Sequence, residues 1–390
     1  MTYFIDIAHN SINKDGEELC GDKVEIIRKE NSAIIVMADG LGSGVKANIL
    51  STLTSKIAVT MLKEGASIFE TVDTIIHTLP VCKVRKLAYS TFTIAEIYED
   101  GRAYIAEYDN PPIFFIRDNQ IIPLEKRETV IDGTVVKECN FTLKKEDLLV
   151  IVSDGVVHAG VGGVLNLGWQ WKNIGEYLNR LSLNEKSARK ISKSLVDTCE
   201  YLYMDKPGDD TTVVAVKIRQ PEVIDMFTGP PKDPANDKLA IQKFMQSNGK
   251  KVICGGTAAK IAARELGREI VPNMDFIDPE VPPTAFIEGI DLVTEGVLTL
   301  SKAVEKIKRY VSSPYKDNLF YSFNKEDGAS KLARILIEDC THLNLWVGKA
   351  VNPAHQNPDF PIDLSIKLKV VDELVEVMKK LGIKVNLTYI

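Results

Sequence analysis

The stretch Ile34–Ser51, IIVMADGLGSGVKANILS, decides how the first half of the chain folds. Ile34 to Ala38 form an apolar run that reads as a strand. Gly40, Gly42 and Gly44 make a dense turn, and a helix is expected from about Val45 to Leu62. Several phosphate-handling loops share this order, so each makes a test. A P-loop needs G-x-x-x-x-G-K followed directly by Ser or Thr. Here Val45 separates Gly44 from Lys46, and Ala47 follows. A dinucleotide fingerprint needs G-x-G-x-x-G inside a βαβ unit. The glycines here run G-x-G-x-G, one residue short, and the flanking strands alternate as antiparallel strands do. What stays distinctive is Asp39 at the end of the strand, with Gly40 letting a backbone carbonyl come close to whatever the carboxylate binds. The competing structural reading is a plain turn in which Asp39 satisfies backbone amides.

Three further segments repeat the placement. LLVIVSDGV puts Asp154 and Gly155 at the end of an apolar strand. PGDDTTVVAV puts Asp209 and Asp210 just before another, and CGDKVEII puts Asp22 before a third. The pattern contains no cysteine or histidine. Oxygen-only donors suit Mg²⁺ or Mn²⁺ rather than zinc, and gathered carboxylates would repel one another without cations. Around these acids the first half reads as strands: YFIDIAHN, DKVEIIRK, SAIIVMAD, STFTIAEIYE, RAYIAEYD, IFFIRDNQ, DLLVIVSD and TTVVAVKI. Asp100-Gly101 marks a hairpin turn. Helices are expected at about Val45–Leu62, Ser67–Leu79 and Asn173–Met204.

The order G-D, D-G-x-G-x-G, S-D-G, G-D-D-x-T resembles the metal-dependent PP2C-type protein serine/threonine phosphatases, closest to their bacterial SpoIIE-like branch. Gly21-Asp22, Asp39 to Gly44, Ser153-Asp154-Gly155 and Gly208 to Thr212 carry the likeness. It covers residues 1–219 and implies an αββα sandwich with two Mn²⁺ or Mg²⁺ ions at one edge of the sheets. Asp39 then bridges the metals, the carbonyl of Gly40 serves one of them, Asp154 with Asp209 serves the other, and Asp22 is the remaining ligand of the first motif. Asp210 is the alternative to Asp209, whose place in the motif is favoured. The implied reaction is hydrolysis of phosphoserine or phosphothreonine by water activated between two cations about 3.5–4 Å apart. In SpoIIE-like relatives the substrate is often a phosphorylated anti-sigma-factor antagonist. Asp109-Asn110-Pro111-Pro112 stands where the family often has Gly-His-Pro-Pro, so any role of that histidine is missing. His158 is a candidate proton donor to the leaving group, against the plainer reading of a histidine near the rim. A catalytically silent module that keeps the fold, or a hydrolase of small phosphate esters, are the rival functions.

Length and composition set the outer bounds. The 390 residues suggest two or three domains, 45% are hydrophobic and 26% charged, and the net charge is −6. Neither nucleic-acid binding nor a basic membrane surface is expected. The start lacks a signal-peptide pattern and no apolar run is long enough to span a bilayer. The six cysteines, none in a C-x-x-C pair, suit a reducing cytoplasm. Residues 220–390 change rhythm to strand, glycine loop, helix, which predicts a mostly parallel, doubly wound α/β domain. GPP at Gly229, GGT at Gly255-Gly256-Thr257 and TEG at Thr294 are expected on one sheet edge, where the helix starting near Thr257 offers N–H groups to an anion. Ligand sensing, partner docking and homodimerisation are the roles this half leaves open.

Overall fold

The computed structural model describes residues 2–78, 90–185, 187–273, 281–312, 325–350 and 366–390. The chain divides into two compact units, Met1–Gln220 and Pro221–Ile390.

The first unit is built from two antiparallel sheets. One runs in the order β1 (Phe4–Ile12), β11 (Thr211–Arg219), β10 (Leu148–Val152), β6 (Phe114–Arg117), β7 (Gln120–Ile121). The other runs β2 (Asp22–Arg28), β3 (Ser32–Gly40), β4 (Ser90–Tyr98), β5 (Arg102–Tyr108), β9 (Thr134–Thr142), β8 (Arg127–Ile131). Helices α1 (Gly44–Lys63) and α2 (Ile68–Thr78) cover the second sheet. After the single turn α3 (Asp154–Val157), helices α4 (Trp171–Asn184) and α5 (Ala188–Leu202) cover the first. The layers are therefore helix, sheet, sheet, helix.

Side-chain alternation explains why β3 is apolar without a break. Ala33, Ile35 and Met37 enter the core between the sheets with Leu149, Ile151, Val214 and Val216. Ile34, Val36 and Ala38 enter the core under α1 and α2 with Leu50, Val59, Val72 and Ile75. A strand with both faces covered has no polar side to show. Each fully buried aliphatic here is worth roughly 1.5–3 kcal/mol relative to exposure. Val150, Val213 and Ala215 pack outward against α4 and α5 with Ile174 and Leu195.

One expectation is corrected and one hairpin is added. The helical region at Asn173–Met204 is two helices, broken between Asn184 and Ala188. The hairpin β8–β9 was not anticipated, although Asp132-Gly133 closes it as Asp100-Gly101 closes β4–β5. The polar, half-exposed strands of that edge hairpin show too little apolar contrast to stand out.

In the second unit the parallel strands β12 (Val223–Thr228), β13 (Lys250–Cys254), β16 (Leu292–Thr294), β17 (His342–Val347) and β18 (Lys384–Tyr389) lie in the order β16-β13-β12-β17-β18. The short strands β14 (Val271–Pro272) and β15 (Ala285–Phe286) extend it antiparallel beyond β16. Helices α6 (Asp237–Gln246) and α7 (Gly256–Leu266) pack on one face around Phe227, Phe244 and Ile253. Helices α8 (Val297–Ser312), α9 (Gly328–Arg334) and α10 (Ile366–Lys380) pack on the other around Met226, Val252 and Leu345. This is the doubly wound arrangement, and the strand order reverses between β12 and β17, where such sheets form a crevice.

Gly40 shows how tightly α1 sits on β3. A Cβ placed there would lie 2.0 Å from the carbonyl oxygen of Ala47. The glycine is therefore needed first for this backbone contact. Gly40→Ala should cost the first unit roughly 1–3 kcal/mol, read as a lowered urea midpoint. Gly42 has open space around it but a φ of +105°, so Gly42→Ala should show backbone strain without that packing loss.

Candidate metal centre

The alternation of β3 carries Asp39 onto the same face as Ala33, Ile35 and Met37, at the mouth between the two sheets. Asp22 is its direct partner across the β2–β3 ladder. From the other sheet, β10 ends at Val152, just before Ser153, and β11 begins at Thr211, so Asp154, Asp209 and Asp210 arrive at the same mouth. The Thr212 N–H donates to Ser153 Oγ at 2.8 Å, which ties those two strand ends together. Gly21 and Gly155 make the approach possible. A Cβ on Gly21 would meet Asp210 Oδ2 at 2.8 Å, and one on Gly155 would meet the Asp210 carbonyl oxygen at 2.1 Å. Tyr203, at the end of α5, donates its hydroxyl to the Gly155 carbonyl at 2.7 Å and steadies the S-D-G turn.

The electrostatics of this mouth are one-sided. Asp39 is raised to about 9, first by burial and then by the charges of Asp22, Asp154, Asp209 and Asp210. Asp22 is raised to about 7, again first by burial; the nearby hydroxyls of Thr212 and Ser153 offset part of this without a formed hydrogen bond, and Asp210 and Asp154 add to it. Burial also raises Asp154, against the pull of His158, and raises Asp209, helped by the charge of Asp154. Both carboxylate oxygens of Asp22 and Oδ2 of Asp210 are buried without a hydrogen-bond partner. The Thr212 hydroxyl is committed to Ser11 instead, at 2.9 Å. Asp210 Oδ1 accepts from the Lys14 N–H at 3.1 Å, and Asp209 Oδ1 accepts from the Asp210 N–H at 3.0 Å.

Asp22, Asp39, Asp154, Asp209 and Asp210 thus share one electrostatic neighbourhood. Among the described residues, no three carboxylate, imidazole or thiol groups close into a ready metal cage. Mutual repulsion of like charges is reason enough for the carboxylates to stand apart. The donor set still fits a hard divalent cation: it is all oxygen, buried, and left with orphaned lone pairs. Between the two acids of G-D-D, Asp210 is the more buried and carries the orphaned oxygen. His158 lies exposed on the turn after Asp154. Asn110 donates to Thr93 Oγ1 at 2.8 Å, while its own carbonyl oxygen is buried and unpartnered. Lys14 and Tyr203 belong to no motif, and no local pattern in the sequence marks them.

Comparison with known proteins now adds a family. The model for stage II sporulation protein E (SpoIIE) matches residues 29–219. The first unit holds a SpoIIE-like PP2C phosphatase domain. Stage II sporulation protein E of Priestia megaterium is 25% identical over 224 residues, 56% of this chain and 37% of that protein. The chain therefore spans little more than a third of this SpoIIE relative. Among solved structures, the PP2C phosphatase domain of Bacillus subtilis SpoIIE with a fragment of its regulatory domain is 22% identical, with a TM-score of 0.48 over 56% of this chain and 64% of that one. The RsbU and RsbW domains of Rv1364c from Mycobacterium tuberculosis are 16% identical, with a TM-score of 0.47 over 63% and 70%.

In the second unit, the three small-residue loops meet on one sheet edge. A Cβ on Gly255 would lie 3.9 Å from the Gly229 nitrogen and 4.0 Å from the Gly296 Cα. Helix α7 begins at Gly256, beside Thr257, and the chain's own Glu295 lies there: its carboxylate is 3.4 Å from the Gly256 Cβ position. Cys254 is buried, its thiol is pushed up to about 12 by that burial, and it accepts from Thr294 Oγ1 at 3.3 Å. These are the marks of a packed core thiol.

The raised carboxylates fix a pH dependence. In chelator-treated protein the folded state holds more protons than the unfolded one above the ordinary carboxylate range. Stability is then greatest at the acid end and falls as pH rises through about 7 and about 9. Melting curves in EDTA from pH 6 to 9 should show that decline. Asp39→Asn removes a carboxyl that burial and its neighbours hold protonated at a cost above the ordinary carboxylate range, so at pH 8.5 the chelated variant should melt higher than wild type. The expected gain is at least roughly 2–4 °C, about 1 kcal/mol in a unit of this size. A flat profile with no gain would mean the carboxylates do not feel one another.

Proposed function

We propose that the chain is a metal-dependent protein serine/threonine phosphatase. The observation that carries this reading is the convergence of Asp22, Asp39, Asp154, Asp209 and Asp210 at one sandwich mouth, with orphaned oxygens on Asp22 and Asp210. Asp39 is read as the acid shared between two Mn²⁺ or Mg²⁺ ions, with Asp22 and the Gly40 carbonyl on one side. Asp154 and Asp209 or Asp210 stand on the other. When bound, such a pair supplies a water of near-neutral pKa and a clamp for the phosphoryl oxygens.

The chain's own part is positional. Asp39 and Asp22 are held by the β2–β3 ladder, and Asp154 and Asp210 by the Ser153–Thr212 bond. Neither cysteine chemistry nor an enzyme nucleophile enters. Cys20 is half-buried, Cys139, Cys199, Cys254 and Cys340 are buried, and none of the five is in a disulfide. These reduced thiols support a cytoplasmic location, and no helix among the described residues is long and apolar enough to cross a membrane. The substrate is read as a phosphorylated protein of the anti-sigma-factor antagonist kind. The second unit is read as regulatory, with the edge at Gly255-Gly256-Thr257 as its ligand- or partner-facing side, or as a dimerisation module. Its support is the doubly wound order, whose reversal point is where such sheets bind ligands.

The test is hydrolysis of p-nitrophenyl phosphate and then of a panel of phosphoserine proteins, with Mn²⁺ titrated from a chelated start. Activity should appear only with the metal. Asp39→Asn should lower kcat by more than the roughly 10–100-fold that losing an outer partner costs, with the fold retained by circular dichroism. Activity on p-nitrophenyl phosphate but on no phosphoprotein would favour the small-ester hydrolase. No activity with any metal would favour the silent module.

A further inference from the structure

Helix α1 starts without help from its own sequence. Its N-cap, Ser43, makes no side-chain cap bond, and its first turn contains no acid. The positive end of a helix of this length is left to be met by something else. It is met from the β1–β2 loop. Ser43 Oγ donates to Glu17 Oε1 at 3.0 Å. Glu17 Oε2 lies 2.4 Å from where a Cβ on Gly44 would stand, and Gly44 has a φ of +67°, so a side chain there would displace the carboxylate and strain the backbone. Asn48 Nδ2, one turn on, donates to the Cys20 carbonyl at 2.8 Å.

The same loop holds the opposite side of the mouth. The Asp15 N–H donates to the Pro207 carbonyl at 2.8 Å, and the Lys14 N–H donates to Asp210 Oδ1 at 3.1 Å. The Glu17 N–H closes the loop on the Lys14 carbonyl at 3.0 Å. At its far end the Gly21 carbonyl accepts from the Gly40 N–H at 3.2 Å. One short loop therefore grips the G-D-D segment of one sheet, the start of α1, and the Asp39–Gly40 end of the other sheet.

We propose that Glu17 is a positioning residue whose carboxylate locks the first turn of α1 to the Asp209–Asp210 segment, so that the two halves of the metal centre keep a common geometry. This rests on the phosphatase reading for its consequence but not for its mechanics. Release of Glu17 frees α1 to slide at Ala47, whose backbone presses on Gly40, and frees Lys14 from Asp210.

Hydrogen exchange on the full chain in EDTA tests the mechanics, and Mn²⁺ titration followed by melting temperature tests the consequence. In Glu17→Ala the amides of Val45 to Asn48 and those of Asp210 and Thr211 should both exchange roughly three- to tenfold faster. The Mn²⁺ midpoint should rise by a similar factor. Glu17→Gln keeps the shape and loses the charge, so it should fall between, and it serves where the alanine variant folds poorly. Glu25→Ala is the control. Glu25 holds Lys56 of the same helix at 2.8 Å, far from its start, and its loss should leave the α1 start and the G-D-D amides unchanged. Faster exchange at α1 alone would reduce Glu17 to a local cap and overturn the proposal, as would unchanged exchange at both places. Coupled exchange with an unmoved Mn²⁺ midpoint would overturn its link to the metal centre. If wild type shows no Mn²⁺ response at all, the phosphatase reading fails while the exchange result still decides Glu17.

Discussion

Carboxylates buried beside one another at the mouth of a β-sandwich are the constraint on which the first unit depends. Burial alone disfavours each charge, and every neighbour adds to the cost. Ordinary proteins answer such a cluster with arginine or lysine. Here the hydrogen bonds come from backbone: Asp210 accepts from the Lys14 N–H, and Asp209 from the Asp210 N–H. Asp22 accepts nothing. A fold that tolerates this arrangement gives up stability unless a cation joins it, which is why the cluster reads as a site and not as a packing accident.

The remaining features of the unit keep that cluster together. The continuous apolar strands β3, β10 and β11 anchor three of its edges in two cores each. Gly21, Gly40 and Gly155 remove side chains where backbones must touch, and the β1–β2 loop spans the mouth. A helix pressed directly on Gly40 means that movement of α1 and geometry at Asp39 are mechanically one thing. Any partner that bears on α1 therefore bears on the carboxylate cluster.

Much of this was legible in the sequence, for physical reasons that can be named. Strands buried on both faces announce themselves as unbroken apolar runs, and α1 lies within a residue of its expected bounds at each end, its start marked by the glycine turn. Acids at strand ends were visible because the strands were. The mostly parallel, doubly wound character of the second sheet was foreshadowed by its alternation of strand and helix, but its strand order was not. The edge hairpin at Arg127–Thr142 was not legible, since half-exposed polar strands lack contrast. Glu17 was invisible for another reason: its partner, Ser43, is 26 residues away and no spacing rule joins them. The tight contact of Gly40 with Ala47 was likewise hidden; the sequence suggested a carbonyl reaching toward a ligand, while the structure shows a helix backbone filling the space where a Cβ would stand.

The most direct test is anomalous diffraction at the manganese edge from crystals of the full chain grown with Mn²⁺. The account predicts two peaks at the sandwich mouth, with Asp39 between them. Asp22 and the Gly40 carbonyl would flank one, and Asp154 with Asp209 or Asp210 would flank the other. Anomalous density elsewhere, or a mouth without any while Asp22 and Asp39 share a proton, would contradict it.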